Sequence, residues 1–249
     1  MTTNTSILID TVAAVVEFVD GLADLPTNPP SLYIDLEGVN LSRFGTISIL
    51  QILVLPTNTT YLIDIHTLGA LAFCTSGRTS KTLKSVLESA TIPKVIFDVR
   101  RDSDALYAQF AIKLDGFHDL QLMELSTRPA YRKRHVSGLA KCVEMDVGLS
   151  EADKKTWKEI KERGRDLFSP QRGGSYEVFK TRPLPDIVKL YCIHDVRYMP
   201  MLWALYESRM TPAWKAKVKE EIAARIALSQ SENWICNEKD MAQGPLGWI

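Results

Sequence analysis

Features that would mark a membrane or secreted protein are missing from this sequence. Its 249 residues contain no run of roughly eighteen apolar residues, so a membrane-spanning helix is excluded. The first residues lack the basic-then-apolar order of a secretory signal, and Asp10, Glu17 and Asp20 argue against a mitochondrial presequence. We therefore expect an intracellular protein of the cytoplasm or nucleus.

Paired cysteines and an excess of charge are missing as well. The cysteines form no CxxC pair and have no zinc-finger spacing, which favours reduced, mostly buried thiols; they are Cys74, Cys142, Cys192 and Cys236. Thirty basic and thirty acidic residues give a net charge of zero. Bulk electrostatic attraction is therefore no evidence for nucleic-acid binding, which must depend on a local patch.

The order of the hydrophobic segments indicates one α/β domain. Apolar residues at helical spacing predict an amphipathic helix over residues 7–22. Three strands are predicted next, and the last two, at 46–55 and 59–65, are expected to form an antiparallel hairpin. Helices then alternate with short strands, and everything after Leu120 is typical of helix or loop. This order predicts a mixed sheet flanked by helices, with a helical C-terminal extension.

The predicted strand SLYIDLEG carries the first candidate for chemistry. Asp35 and Glu37 are two residues apart, so their side chains point to the same face of the strand. Paired acids beside a central apolar strand are costly unless a positive charge lies between them, and a divalent cation is the simplest candidate. Alone, this pair is weak evidence for catalysis.

Two later segments add acidic candidates. Asp98, Asp102 and Asp104 crowd a strand-to-helix junction, where helix capping needs only one aspartate. Tyr191 and Asp195 are four residues apart and therefore lie on one face of a helix. Taken singly, capping and an ordinary amphipathic pair explain these residues.

Together and in this order, the three segments resemble the DEDD exonucleases in their tyrosine variant. LYIDLEGVNLSRFGTISILQI is similar to the first motif of the ribonuclease D and Werner-type branch, KVIFDVRRDSDALYAQFAIKLDGFHDLQL to the second, and FKTRPLPDIVKLYCIHDV to the third. The GGSYEVF segment resembles fungal and Egalitarian-like members. The resemblance implies a ribonuclease H-like (DnaQ-like exonuclease) fold with a mixed five-stranded sheet. It places the exonuclease domain at residues 1–210 and a C-terminal helix and tail, packed on it, at 211–249.

The resemblance also implies five catalytic residues, namely Asp35, Glu37, Asp102, Tyr191 and Asp195. In the second motif, the family's fixed gap back from Asp119 selects Asp102 over Asp98 and Asp104. The four carboxylates are expected to hold two Mg²⁺ ions, with Mn²⁺ able to substitute, around the attacking and departing oxygens of a phosphodiester. Tyr191 is expected to orient the attacking water, since a pKa of about 10 makes it a poor base at neutral pH.

Seven residues are candidate substrate contacts: Leu41, Phe44, Arg100, Arg101, Tyr131, Arg132 and Arg134. The first two are expected to wedge against the terminal base, and the two arginines of the second motif to touch a phosphate. The other three lie in the basic segment RPAYRKRH, which suits phosphates and a stacked base as well as it suits a solvated surface loop.

Three other features are given structural interpretations or remain open. The segment KKTWKEIKERGR is expected to be an exposed helix face, because acidic residues intersperse its lysines. Residues 165–185 have no period and are expected to form either a lid or channel wall or an inert surface excursion. His194 points away from the Tyr191 face and is expected to be structural.

The main hypothesis is a 3'-5' exonuclease that releases nucleoside 5'-monophosphates from a free 3' end. The ribonuclease D resemblance favours RNA, and the Werner-type resemblance leaves DNA open. A catalytically silent nucleic-acid-binding or adaptor module on the same fold is the alternative, since a fold does not fix a function. A plain protein-binding scaffold would have to explain five matched positions by accident.

Overall fold

A six-stranded mixed sheet forms the centre of the computed structural model, which describes residues 5–248. The strands are β1 (Thr5–Ile9), β2 (Leu32–Val39), β3 (Thr46–Val54), β4 (Thr59–Asp64), β5 (Lys94–Ile96) and β6 (Phe117–Asp119). Their order across the sheet is β1-β4-β3-β2-β5-β6. The pairs β2–β3 and β3–β4 are antiparallel, whereas β1, β5 and β6 join in parallel.

Helices cover the sheet and make up most of the chain after residue 120. They are α1 (Val12–Gly21), α2 (Ile65–Leu68), α3 (Leu71–Cys74), α4 (Leu83–Leu87), α5 (Val99–Phe110), α6 (Leu120–Ser126), α7 (Leu139–Asp146), α8 (Glu151–Phe168), α9 (Asp186–Arg197), α10 (Met199–Arg209), α11 (Pro212–Ser229) and α12 (Glu238–Met241). None of the helices among residues 5–248 is long and apolar enough to cross a membrane. The expected α/β class with a helical C-terminal part is confirmed.

The N-terminal segment differs from its prediction. Residues 5–9 form an edge strand in parallel register with β4, from Thr5 opposite Thr59 to Ile9 opposite Ile63. The helix begins only at Val12, after Thr11, whose hydroxyl accepts a hydrogen bond from the Ala14 amide at 3.2 Å. The predicted helix start and the five-strand count were therefore wrong, because pairing with β4 overrides a helical spacing that is short and ambiguous.

The stretch at residues 165–185 packs on the sheet. Phe179 and Leu184 are buried in a small cluster with Ile49 of β3, Leu62 of β4 and residues of α9. A 3-10 turn at Tyr176–Lys180 supplies the buried Phe179. This part of the stretch is therefore neither a free lid nor an inert excursion, since it covers one face of the central strands.

The helical C-terminal part packs against the second half of the sheet. Helix α11 contacts α5 and α6, and its buried Arg225 donates to the Asp119 carboxylate at 3.0 Å. Near the end of the chain, the Trp248 ring packs edge-on against Trp214 with 5.1 Å between ring centroids. The predicted division into an exonuclease domain at 1–210 and a C-terminal helix and tail at 211–249 stays a prediction. The four cysteines are free, as predicted; two are buried, Cys236 is half-buried and Cys74 is exposed.

A buried lysine lies under the sheet beside α4. Lys94 is fully buried, and its ammonium donates to the carbonyl oxygens of Val86 at 2.9 Å and Ser89 at 2.6 Å. Its Nζ also lies 5.1 Å from the centre of the Phe117 ring. Burial lowers the pKa of Lys94 from 10.5 to about 7.

This depressed pKa predicts a pH-dependent stability. Between about pH 7 and pH 10.5 an unfolded lysine holds a proton that folded Lys94 lacks, so the free energy of unfolding should rise with pH through this window. Urea unfolding at several pH values should show this rise in the wild type and a weaker one in Lys94→Met. The exposed Lys155→Met serves as control. Equal pH slopes in the wild type and Lys94→Met would contradict the prediction.

Candidate active site

The first acidic pair lies where β2 is distorted. The register between β2 and β3 shifts between Glu37 and Gly38, and a Cβ on Gly38 would lie 1.9 Å from the Thr46 carbonyl oxygen. Glycine is therefore required for this close approach of the two backbones. Asp35 and Glu37 alternate with buried apolar residues of β2 and are half-buried at the end of the strand.

Helix α9 brings the third motif to the same place. It packs on β2, β3 and β4 through buried residues that include Val188 and Cys192. Carboxylate oxygens of Asp35, Glu37 and Asp195 all lie within 4.8 Å of one another. Residues separated by more than 150 positions in the sequence thus form one acidic cluster, as the motif order predicted.

Three interactions distinguish Asp102 from its acidic neighbours. Asp98 pairs with Arg100 at 2.7 Å, and Asp104 pairs with Arg43 at 2.6 Å. Asp119 accepts hydrogen bonds from the backbone amides of Asp98 and Val99 and so anchors the start of α5. Asp102 is buried and has no ion pair within residues 5–248. Asp102 is not among the acids whose carboxylate oxygens lie within 4.8 Å of one another, and its assignment as the second-motif acid stays a prediction.

The electrostatics of this group call for a cation. Burial, followed by repulsion from Asp195, raises the pKa of Asp35, and burial followed by repulsion from Asp35 raises that of Glu37. The pKa of Asp102 is raised by burial and then by Asp35, and that of Asp195 by burial. Oδ2 of Asp195 is buried and has no hydrogen-bond partner in the described part of the chain. A group of carboxylate oxygens, one of them buried and free to bind a ligand, fits a hard divalent ion.

Tyr191 is held tightly by helix α8. A Cβ on Gly164 would lie 2.2 Å from Cδ2 of the Tyr191 ring, and the Phe168 ring packs edge-on against it at 5.1 Å. The Lys161 ammonium lies 3.4 Å from the ring centre. Burial and the nearby Asp195 raise the pKa of Tyr191. Its hydroxyl therefore stays protonated at neutral pH, as a hydrogen-bonding group rather than a base.

Helix α8 was misjudged from the sequence. Lys161, within the segment predicted to be an exposed helix face, is buried, and its ammonium hydrogen-bonds Oδ1 of Asp195. Gly164 of the same helix is buried against Tyr191. The charge-rich sequence hid both contacts, and a glycine inside an otherwise strong helix was the one available signal. His194 is buried apart from the acids, and burial lowers its pKa to about 4.

Some of the candidate substrate contacts are buried within the protein, and others are exposed and free to contact a substrate. Arg100 is buried and donates to Asp98, Gln121 and the Met241 carbonyl, so its guanidinium is not presented to a phosphate. This part of the prediction is corrected, because the C-terminal segment encloses the arginine. Leu41 is half-buried against the core. Side chains exposed to solvent are Phe44, Arg101, Tyr131, Arg132 and Arg134.

Comparison with known proteins decides the family. The sequence model of a family described as 3'-5' exonuclease matches residues 7–207, which is most of the chain. The chain belongs to the 3'-5' exonuclease family. This exonuclease is a metal-dependent hydrolase, as the three motifs predicted. No protein of curated function matches the sequence.

Solved structures share the fold of this exonuclease. Trypanosoma brucei RNase D in complex with RNA U12 superimposes with a TM-score of 0.79 at 22% identity, over 99% of this chain and 78% of that chain. Escherichia coli RNase D gives a TM-score of 0.60 at 19% identity, over 91% of this chain and 51% of that chain. Brucella melitensis NrnC with bound Mg²⁺ gives a TM-score of 0.57 at 19% identity, over 94% of this chain and 98% of that chain. At these identities the likeness shows the fold alone.

The packing of Gly164 yields a prediction for this exonuclease. Alanine normally stabilises a helix interior by about 1 kcal/mol relative to glycine, but here its Cβ would push the Tyr191 ring aside. We expect Gly164→Ala to lower the rate by at least about tenfold, since small misplacements of reacting groups are costly. Gly21→Ala, at a helical glycine with open space around it, is the matched control. Single-turnover assays and melting curves separate activity from stability. Wild-type activity in folded Gly164→Ala would show that this contact does not position the site.

Proposed function

We propose that this 3'-5' exonuclease degrades RNA from its 3' end with two Mg²⁺ ions and releases nucleoside 5'-monophosphates. The observation that carries the proposal is the convergence of Asp35, Glu37 and Asp195, whose carboxylate oxygens lie within 4.8 Å of one another. Asp35, Glu37 and Asp195 would hold one ion, and Asp102 and Asp35 the other. Mn²⁺ is expected to substitute, because it takes the same oxygen ligands.

The residues of the chain prepare the site for hydrolysis. When bound, the metal ions supply an activated water and charge stabilisation for the attacking and leaving oxygens. The protonated Tyr191 hydroxyl would donate a hydrogen bond to the attacking water and so orient it toward the phosphate. Gly164 and Phe168 hold the ring from the side of α8. The protein therefore contributes mainly charge and orientation, which are the main requirements of phosphoryl-transfer chemistry.

RNA is preferred over DNA as the proposed substrate because of the solved structures that share the fold. One of them is an RNase D holding RNA U12, and a second RNase D is described as an exoribonuclease involved in structured RNA processing. The fold alone does not fix the substrate. Matched RNA and DNA substrates therefore belong in the same assay.

Phe44 and Arg101 are the proposed contacts next to the reacting phosphate. The Phe44 side chain is 86% exposed on the loop after β2, a fraction that leaves its ring free to stack. This loop is anchored because Arg43 donates to Asp104 and to carbonyl oxygens of the C-terminal segment. Arg101 is adjacent to Asp102 and reaches only Glu238, at 3.7 Å. An exposed aromatic on a fixed loop suits a terminal base.

A basic cleft provides a proposed path for the rest of the strand. Its lining includes the exposed cations Arg132, Arg134, Lys141 and Arg209 beside Tyr131, whose side chain is 77% exposed. These four cations have no ion pair within the described residues, although the protein as a whole is neutral. Unpaired cations around an exposed aromatic ring suit single-stranded RNA.

The activity has a direct test. The purified protein with Mg²⁺ should shorten a 5'-labelled RNA from its 3' end and release nucleoside 5'-monophosphates, with slower or no digestion of the matched DNA. Asp195→Asn should reduce the rate by several orders of magnitude, because it removes a proposed metal ligand. Asp186→Asn, at an exposed carboxylate of the same helix, should digest at the wild-type rate. Undiminished digestion by Asp195→Asn would refute the assignment of the site.

The cleft has a separate test in the inactive Asp195→Asn background. Arg134→Ala and Tyr131→Ala should weaken binding of a fluorescent single-stranded RNA, read by anisotropy. The salt dependence should fall by about 0.7 in slope for the arginine variant and stay unchanged for the tyrosine variant, because only a phosphate contact releases counterions. Arg78→Ala, far along the chain at an exposed site, is the control. Identical affinities and slopes for all variants would remove the cleft from the proposed RNA path.

A further inference from the structure

Lys161 differs from the other lysines of helix α8. Lys154 and Lys158 lie nearer the solvent and pair with the exposed acids Glu151 and Glu144. The Lys161 side chain is only 7% exposed, and its ammonium hydrogen-bonds Oδ1 of Asp195. A buried ammonium is costly unless it is paired with an anion, so this contact holds Lys161 inside the site.

The ammonium lies at the acidic cluster itself. Within residues 5–248 no other basic side chain forms an ion pair with Asp35, Glu37 or Asp195. The positive charge of Lys161 lowers the pKa of each of these three acids against the upward effect of burial. The positive charge of Lys161 therefore acts on all three acids, although the ammonium donates its hydrogen bond to Asp195.

The two carboxylate oxygens of Asp195 differ in their contacts. One carboxylate oxygen accepts the Lys161 hydrogen bond, while the other, Oδ2, is buried and has no hydrogen-bond partner among residues 5–248. A metal ion held by Oδ2 would share this carboxylate with the Lys161 ammonium. Two cations so close repel each other strongly in a partly desolvated site.

We infer that Lys161 is a built-in counter-cation of the metal centre, which neutralises the acidic cluster before metal binds and weakens the binding of the divalent ion. The inference rests on the proposed function, because it takes Asp195 as a metal ligand. It makes Lys161 a positioning residue, whose role is exerted through Asp195 and the bound ion. The affinity of the site for metal is thus set below what its carboxylates alone would give.

Metal binding without substrate tests this inference. Free Mn²⁺ should be titrated by electron paramagnetic resonance into wild-type protein, Lys161→Met and Lys161→Gln. Both variants should bind Mn²⁺ at least about tenfold more tightly, because the competing charge is gone. Lys158→Met, which removes an exposed lysine of the same helix, should bind Mn²⁺ with wild-type affinity.

Melting curves supply an independent readout on the same proteins. In EDTA, Lys161→Met should melt at a lower temperature than the wild type, since the buried Asp195 loses its partner. Addition of Mn²⁺ should raise its melting temperature more than that of the wild type, because tighter binding to the folded state gives a larger shift. The uncharged, polar Lys161→Gln covers the case in which the Met variant does not fold.

The outcomes separate this inference from the proposed function. Wild-type protein that binds no Mn²⁺ and digests no RNA would overturn the metal assignment itself. Wild-type protein that binds Mn²⁺, with Lys161 variants of equal or weaker affinity, would overturn only the counter-cation. In that second case Lys161 would support the ligand geometry of Asp195 without opposing the ion.

Discussion

Repulsion between partly or fully buried carboxylates is the constraint on which this structure depends. Carboxylate oxygens of Asp35, Glu37 and Asp195 lie within 4.8 Å of one another. Burial raises the pKa of all three acids, and repulsion from neighbouring carboxylates raises it further for Asp35 and Glu37. Such a cluster destabilises the folded chain unless packing elsewhere holds it together. The apolar cores on the sheet supply that packing, and helix α9 is fixed across three strands by buried side chains. The acidic cluster therefore lowers the stability of the fold, and the same negative charge attracts cations.

The acids around α5 show that charge repulsion is relieved at most positions by arginine partners. Asp98, Asp104 and Asp119 each have an arginine partner, namely Arg100, Arg43 and Arg225. Asp102 lies among them without an ion pair in the described part of the chain. Three acids around α5 are therefore neutralised by arginines, whereas Asp102, the proposed catalytic acid of this region, has no such partner among residues 5–248. Arg43 and Arg100 also donate to carbonyl oxygens of the C-terminal segment, and Arg43 thereby links that segment to the loop after β2.

The sequence predicted most of the site and less of its surroundings. The acids of β2 and α9 were expected on one side of a strand and of a helix because of their spacing, and their carboxylates do converge. Asp102 was selected by the family's gap back from Asp119, and its role stays a prediction. Residues 5–9 were placed in a helix because a short apolar segment fits either period until a pairing strand is known. Arg100 was expected at a phosphate, and only the C-terminal segment that encloses it shows otherwise. Contacts between segments that are distant in the sequence leave no periodic signal, so the sequence alone does not predict which residues these segments enclose.

Helix α8 is the clearest case of this limit, and it also shows how the site is held together. Its sequence is that of a solvated helix, yet Lys161 and Gly164, three residues apart and hence on one face, both touch residues of α9. The first sets the charge beside Asp195 and the second sets the position of the Tyr191 ring. Because one helix face carries both contacts, a displacement of α8 changes the electrostatics and the geometry of the site together. Metal affinity and the orientation of the tyrosine are therefore coupled properties of a single packing interface.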